Sequence, residues 1–335
     1  MNWKKLLKRF AVITGATILV LVATSIIILK YYEDEVIDYA IQRINENLRV
    51  KANVGEAHLV LWKTFPNASV ELSNIMVEDS YGRHDTLFTA DEIYLSFDLI
   101  QLFRGDYTIK KIAADDVDAS LKRNKKGVPN WDVWKKTDSA DSTKFELALE
   151  KIELNDAVVV YEDEKNQLFL DLLSTSTTAA GNFSADDIAL QIEYEGEVTQ
   201  LIRGESHFVS SLPMTLAAGI QIHTAQSSLE IQSCELNSDN LKLTATGTFD
   251  FSETPSYELA VSGKELDVAA LLKHLPESVV HTLEAYRPGG TVGLTLNVSD
   301  RNKQKSTVTR ADFTVENASL SRQATGVGIN GVEAQ

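Results

Sequence analysis

The residues from Leu241 to Phe251 alternate without a slip, with Leu241, Leu243, Ala245, Gly247, Phe249 and Phe251 on one side and Lys242, Thr244, Thr246, Thr248 and Asp250 on the other. A period of two sustained over that length fits an extended strand with one dry and one wet face. The pattern returns at Ile188, Leu190, Ile192 and Tyr194, at Val292, Leu294, Leu296 and Val298, and earlier at Ile93, Leu95, Phe97 and Leu99. Such strands in succession predict a mainly β protein of antiparallel sheet, whose apolar face must be covered. Few helices are on offer to cover it. Two arrangements remain open: a closed sandwich in which two dry faces meet, and an elongated, curled β-sheet groove whose dry face takes an apolar ligand.

Several local features refine the strand map. Val70 and Leu72 hand over to Ile75 and Val77 with the phase shifted by one, as a bulge at Ser73-Asn74 produces. A strand from Tyr107 to about Leu121 is expected to break near Asp115-Asp116, and Lys122 to Lys126, followed by Gly127, reads as a solvated turn. Asp138 to Thr143 reads as a linker. Val268, Leu271, Leu272 and Leu275 form a helical stripe with Asp267 as its N-cap and Pro276 beyond its end. A second short helical stretch is expected from Glu277 to Leu283, and Gly326 to Gly331 carries little pattern.

The amino terminus imposes a different constraint. Phe10 to Leu29 is twenty residues without a charge, twelve of them Leu, Ile, Val or Phe. That is long enough to cross a hydrocarbon core of about 30 Å as a transmembrane helix. Lys4, Lys5, Lys8 and Arg9 precede it and Glu33, Asp34 and Glu35 follow, so the positive-inside rule keeps the first residues in the cytoplasm and exports the rest. Val36, Ile37, Ala40, Ile41, Ile44 and Leu48 then recur at helical spacing, giving a short amphipathic helix that can close the apolar mouth of a β structure or rest on the bilayer. The chain carries 48 acidic and 32 basic residues, a net charge of −16, so partners of nucleic-acid type and broad adsorption to anionic headgroups are not expected.

Nothing in the sequence marks an enzyme. The six histidines lack metal-ligand spacing, no cofactor motif is present, and Cys234, the only cysteine, reads as a small buried or half-buried residue. Adjacent acids such as Asp115-Asp116 read as solvated groups, and the serine-rich segments lack a nucleophile elbow. Trp131 and Trp134, after Pro129, are open to two readings: packing at the start of the groove, or a seat at a membrane interface. Tyr31 and Tyr32, directly after the anchor, are interface candidates, and so are Leu102 and Phe103 in a short apolar turn.

The segments Pro66 to Leu72, Phe88 to Leu95, Leu102-Phe103-Arg104-Gly105-Asp106-Tyr107 through Ile112, and Gly127-Val128-Pro129-Asn130-Trp131, in that order and spacing, resemble the N-terminal module of the AsmA family of bacterial envelope proteins, relatives of the chorein-type bridge-like lipid transfer proteins. The anchor, the stretch from Leu266 to Pro276 and the strand opening at Gly290 extend the likeness loosely over the remainder. The resemblance implies a protein anchored in the bacterial inner membrane with its bulk in the periplasm, carrying phospholipid acyl chains along a β groove toward the outer membrane. It also implies contact with the outer membrane or with envelope assembly proteins. A structural module that assists outer-membrane assembly without carrying lipid is the alternative.

The expected organisation is a cytoplasmic tail (1–9), an anchor (10–30), the amphipathic helix (31–49), an N-terminal β module (50–135), a linker (136–143) and a continuing groove (144–335) with a C-terminal continuation cut away. Groove-lining candidates are Leu95, Phe97, Leu190, Ile192, Leu243, Phe249, Leu294 and Leu296.

Overall fold

The structure, a computed structural model, describes residues 33–334 apart from 35, 43, 45, 47, 61–66, 83, 99–100, 102–103, 105–107, 136–148, 184–186, 240, 252–255, 273–285, 301–307 and 323–327. The proposed anchor at Phe10 to Leu29, Tyr31, Tyr32, Leu102, Phe103, the whole linker and the stretch from Glu277 to Leu283 therefore lie outside the described residues. Among those described, no helix is long and apolar enough to cross a membrane.

One curled, unclosed sheet holds all the strands. Two short edge strands, β1 (Ala52–Asn53) and β2 (Glu56–Val60), both pair with β3 (Ala68–Glu78). The sheet continues through β4 (Thr86–Phe97), β5 (Ile109–Arg123), β6 (Lys151–Asp163), β7 (Leu168–Gly181), β8 (Asp187–Arg203) and β9 (Ser206–His223). It ends with β10 (Ser228–Ser238), β11 (Leu241–Asp250), β12 (Ser256–Asp267), β13 (Tyr286–Asp300), β14 (Val308–Arg322) and β15 (Gly328–Ala334). From β3 onward each strand neighbours the next in chain order. Of the two arrangements the alternation allowed, the single curled sheet is the one adopted.

Two features depart from the sequence reading. β5 and β6 run parallel, so the sheet is not wholly antiparallel. The connection between them has to carry the chain from one end of the sheet back to the other, a crossover that side-chain alternation does not encode. The glycine-rich stretch near the carboxyl terminus is a strand, β15, because the free edge of β14 supplies it with backbone partners.

The phase shift at Ser73-Asn74 belongs to a larger feature. Asn74 has φ +52°, Asp116 +53° and Asp156 +49°, and these residues, with Asp91 and Thr175, are the positions skipped in the pairing of five adjacent strands. Each strand carries one extra residue at the same level, so register is preserved on both sides of the line while the inward phase moves by one. Val70 and Leu72 give way to Ile75 and Val77, Ile112 and Ala114 to Val117 and Ala119, and Ile152 and Leu154 to Ala157 and Val159. The left-handed region is one that Asn and Asp tolerate and β-branched residues do not. Asp116→Val is therefore expected to cost about 1–2 kcal/mol, whereas Asp116→Gly leaves stability unchanged or raises it, as measured by urea midpoints.

An amino-terminal helix α1 (33–46) lies over the inner face of the first strands. Val36 and Ala40 are fully buried in a core with Val70, Leu72, Ile75, Leu95 and Phe97, and Ile37 and Ile44 pack against it. The far end of α1 is tied down by the Leu48–Trp134 bridge and by Arg49, whose guanidinium meets Asp132 at 2.9 Å. Asn130, 1% exposed, anchors the loop after β5. Its amide donates to Ser120 O (2.9 Å), its side-chain oxygen accepts from Lys122 N (2.8 Å), and its own carbonyl accepts from Ser80 N (2.8 Å). A second helix, α2 (Val268–Leu272), is capped by Asp267, whose carboxylate accepts from Ala270 N at 2.7 Å.

Candidate functional site: the inner face of the sheet

Residues opposite one another in register share a face, so the pairing can be followed across the sheet from strand to strand. Starting at Val70, the row reads Leu95, Ile112, Ile152, Ala179, Ile192, Ala218, Cys234, Ala245, Val261 and Leu296. The parallel row from Leu72 reads Ile93, Ala114, Leu154, Thr177, Tyr194, Leu216, Leu236, Leu243, Gly263 and Leu294. On its other side run Leu190, Ile220, Ile231, Gly247, Leu259 and Val298. None of these positions carries a charge. The opposite face reads Glu153, Thr178, Glu193, Ala217, Glu235, Thr244, Ser262 and Thr295 at the same level.

The middle row is smallest over β9 to β11, where Ala218, Cys234 and Ala245 lie between Ile220, Ile231 and Gly247 on one side and Leu216, Leu236 and Leu243 on the other, while Ile192 fills it at β8. These small side chains form the floor of the face, directed across the strands, along the long axis of the sheet. Tyr194 is the one large polar group on it. Its ring lies over Gly196, where a Cβ would sit 2.6 Å from the phenolic oxygen, and its hydroxyl donates to Leu173 O (3.0 Å) and Glu197 O (3.3 Å). Burial pushes its pKa up, so it stays a neutral donor.

The sequence-derived candidates divide into two environments. Leu95 (6% exposed) and Phe97 (0%) are sealed in the core beneath α1. Leu190, Ile192, Leu243, Phe249, Leu294 and Leu296 lie beyond it on the inner face, Leu190 buried and the others half-buried. Leu243 and Leu294 also pack on the small core of Leu241, Leu266 and Ala270, which places α2 at one rim. At the other rim Phe249 stacks on Phe251 (ring centroids 6.4 Å) and on Tyr257 (6.3 Å), and Phe251 is 63% exposed. A concavity of about 460 Å³ follows β10 to β13, but most of its lining, including Glu230, Thr246, Thr248, Glu258, Asn297 and Ser299, belongs to the polar face rather than to the apolar rows.

The outer face is held by ion pairs. Lys111 and Lys151 reach Glu153 at 2.5 and 2.7 Å. Burial opposes ionisation of Glu153, but the hydrogen bonds from both lysines outweigh it and keep the carboxyl below its ordinary value. Among the described residues no group of His, Cys, Asp or Glu could hold a metal ion. Cys234 lies half-buried on the floor, where burial pushes its thiol pKa up. Trp131 packs on Tyr161 (6.0 Å) beneath the Arg123 guanidinium (5.7 Å), whereas Trp134 stands 60% exposed. The two tryptophans thus take up different environments.

The family model described as the AsmA family matches residues 3–275. The chain belongs to the AsmA family. No curated protein and no solved structure gives a match. In this AsmA-family chain the matched region takes in α1, the enclosed core and the inner face as far as α2, so the apolar rows from β3 to β12 fall within it. What alternation could not reveal is the partition: strands under α1 and strands beyond it carry the same pattern, and only the placing of the helix separates core from open face.

Proposed function

We propose that this AsmA-family protein is a non-enzymatic lipid carrier, anchored in the bacterial inner membrane by residues 10–30 with its amino terminus in the cytoplasm and its bulk in the periplasm. Phospholipid acyl chains lie along the inner face beyond α1 and move toward the outer membrane, supporting envelope integrity. The observation that carries this reading is the set of uncharged rows running unbroken across the curled, unclosed sheet, half-buried from Ile192 to Leu296 except at the buried Ala218. Each CH₂ laid on such a surface and removed from water gains about 0.8 kcal/mol, with no fixed polar contact to stop sliding. Headgroups stay in water at the open rims. Family membership supports the same reading.

Cys234 offers a test at a single atom, since it is the only thiol and sits on the floor. Labelled with a benzophenone maleimide at mildly alkaline pH, to offset its raised pKa, and irradiated in native membranes, the full chain is expected to yield a phospholipid adduct by mass spectrometry. The same probe on Glu235→Cys in a Cys234→Ser background faces the exposed side and is expected to yield none. Equal adducts at both positions, or none at Cys234, would falsify the carrier reading.

A further inference from the structure

Among the described residues, the turn after β5 is where this acidic protein gathers cations. Lys122, Lys125 and Lys126 are exposed there, and the parallel pairing of β5 with β6 brings the next turn alongside. A Cβ at Gly127 would lie 3.3 Å from Lys165 Cδ, so Lys165 runs along the same loop. None of these four amines forms an ion pair among the described residues. The neighbouring carboxylates make their closest contacts to backbone or amide groups, or lie in register on the strand. Asp163 is buried and accepts from Asn166 N (2.9 Å) and Asn166 Nδ2 (2.8 Å), Glu164 accepts from Lys125 N (3.0 Å), and Glu162 pairs in register with Lys122.

The loop is built stiffly. Asn124 Oδ1 accepts from Lys126 N (2.9 Å) and Val128 N (3.1 Å), Gly127 takes φ +80°, and the Tyr81 hydroxyl donates to Val128 O at 2.8 Å. This holds Val128, 49% exposed, in the open beside the lysines, at the same end of the sheet as Trp134. Amines around an exposed aliphatic tip, with an exposed indole at the same end of the sheet, match a phospholipid surface: the cations meet phosphates, and the apolar tip and the indole enter the headgroup layer.

We infer that the 124–128 loop, with Lys122 at the end of β5, Lys165 and Trp134, is a docking surface for an anionic phospholipid bilayer. The net charge of −16 does not forbid it, because charges farther than about 10 Å are screened at 0.1 M salt. The inference is independent of what the inner face carries.

The test holds the full chain in neutral phosphatidylcholine nanodiscs and measures capture of vesicles of phosphatidylcholine alone or mixed with phosphatidylglycerol. Only the mixed vesicles are expected to bind, with affinity falling as salt is raised. K125Q/K126Q/K165Q is expected to weaken capture on the order of 100-fold, from about fivefold per lysine. K242Q/K264Q, exposed lysines elsewhere, is expected to leave it unchanged. Equal capture of neutral vesicles, or indifference to the triple substitution at an unchanged melting temperature, would overturn the inference. So would equally tight, equally lysine-dependent capture of polyglutamate, which would assign the surface to an acidic polypeptide.

Discussion

Phe97→Ala is expected to destabilise the amino-terminal part of the sheet by about 3–5 kcal/mol, the cost of emptying a large, fully enclosed site. Phe97 is the largest side chain with no exposure among the described residues, and the core around it is closed by Val36 and Ala40 of α1, leaving little freedom to collapse onto the void. Leu296→Ala, at a position with the same alternation but no helix above it among the described residues, is expected to cost about 1 kcal/mol, since that side chain is already half in water. Hydrogen exchange checks both. Phe97→Ala should raise exchange in β3 to β5 and leave β11 to β13 unchanged, and a uniform rise across the sheet would show that core and open face are one cooperative unit.

The second large effect concerns lipid rather than stability. Ile192→Glu with Leu296→Glu places carboxylates in the row of Cys234, two strands before it and three after, about 10 and 14 Å away. A carboxylate in the path of an acyl chain costs about 3 kcal/mol on an insertion scale, so the pair is expected to reduce the Cys234 adduct at least about a hundredfold. Both side chains can turn toward the open rims, and the melting temperature should move by no more than a few degrees. Wild-type adduct yield in this double variant would mean that lipid does not pass over the middle row.

Much of this could be read in the residues themselves. Alternation at Ile188, Leu241 and Val292 gave the dry face, the broken phase at Ser73-Asn74 gave the first point of the bulge line, and Asp115-Asp116 gave another. Asp156 was not legible, because the alternation of Lys151 to Leu154 gives way after it to the continuous apolar run Ala157 to Val160, which carries no phase. The enclosure of Leu95 and Phe97 was not legible either, since a helix covering a face and a face left open select the same side chains. The loop from Lys122 to Lys126 was visible as a turn, but Lys165 joins it only through the parallel pairing of β5 and β6, a long-range event that leaves no local trace.

The strand order has one more consequence. Beyond β3 each strand contacts chiefly the strands before and after it in the chain, with α2 leaning on β12 and β13. Position along the sheet is then set by counting: every strand advances the inner face by about 4.8 Å, and every hairpin by about 10 Å. Such a molecule is a ruler. Deleting one hairpin, for instance β9 with β10, keeps the strands on either side antiparallel and shortens the ruler by that step without reassigning any other pairing, so reach can be varied while the surface stays the same.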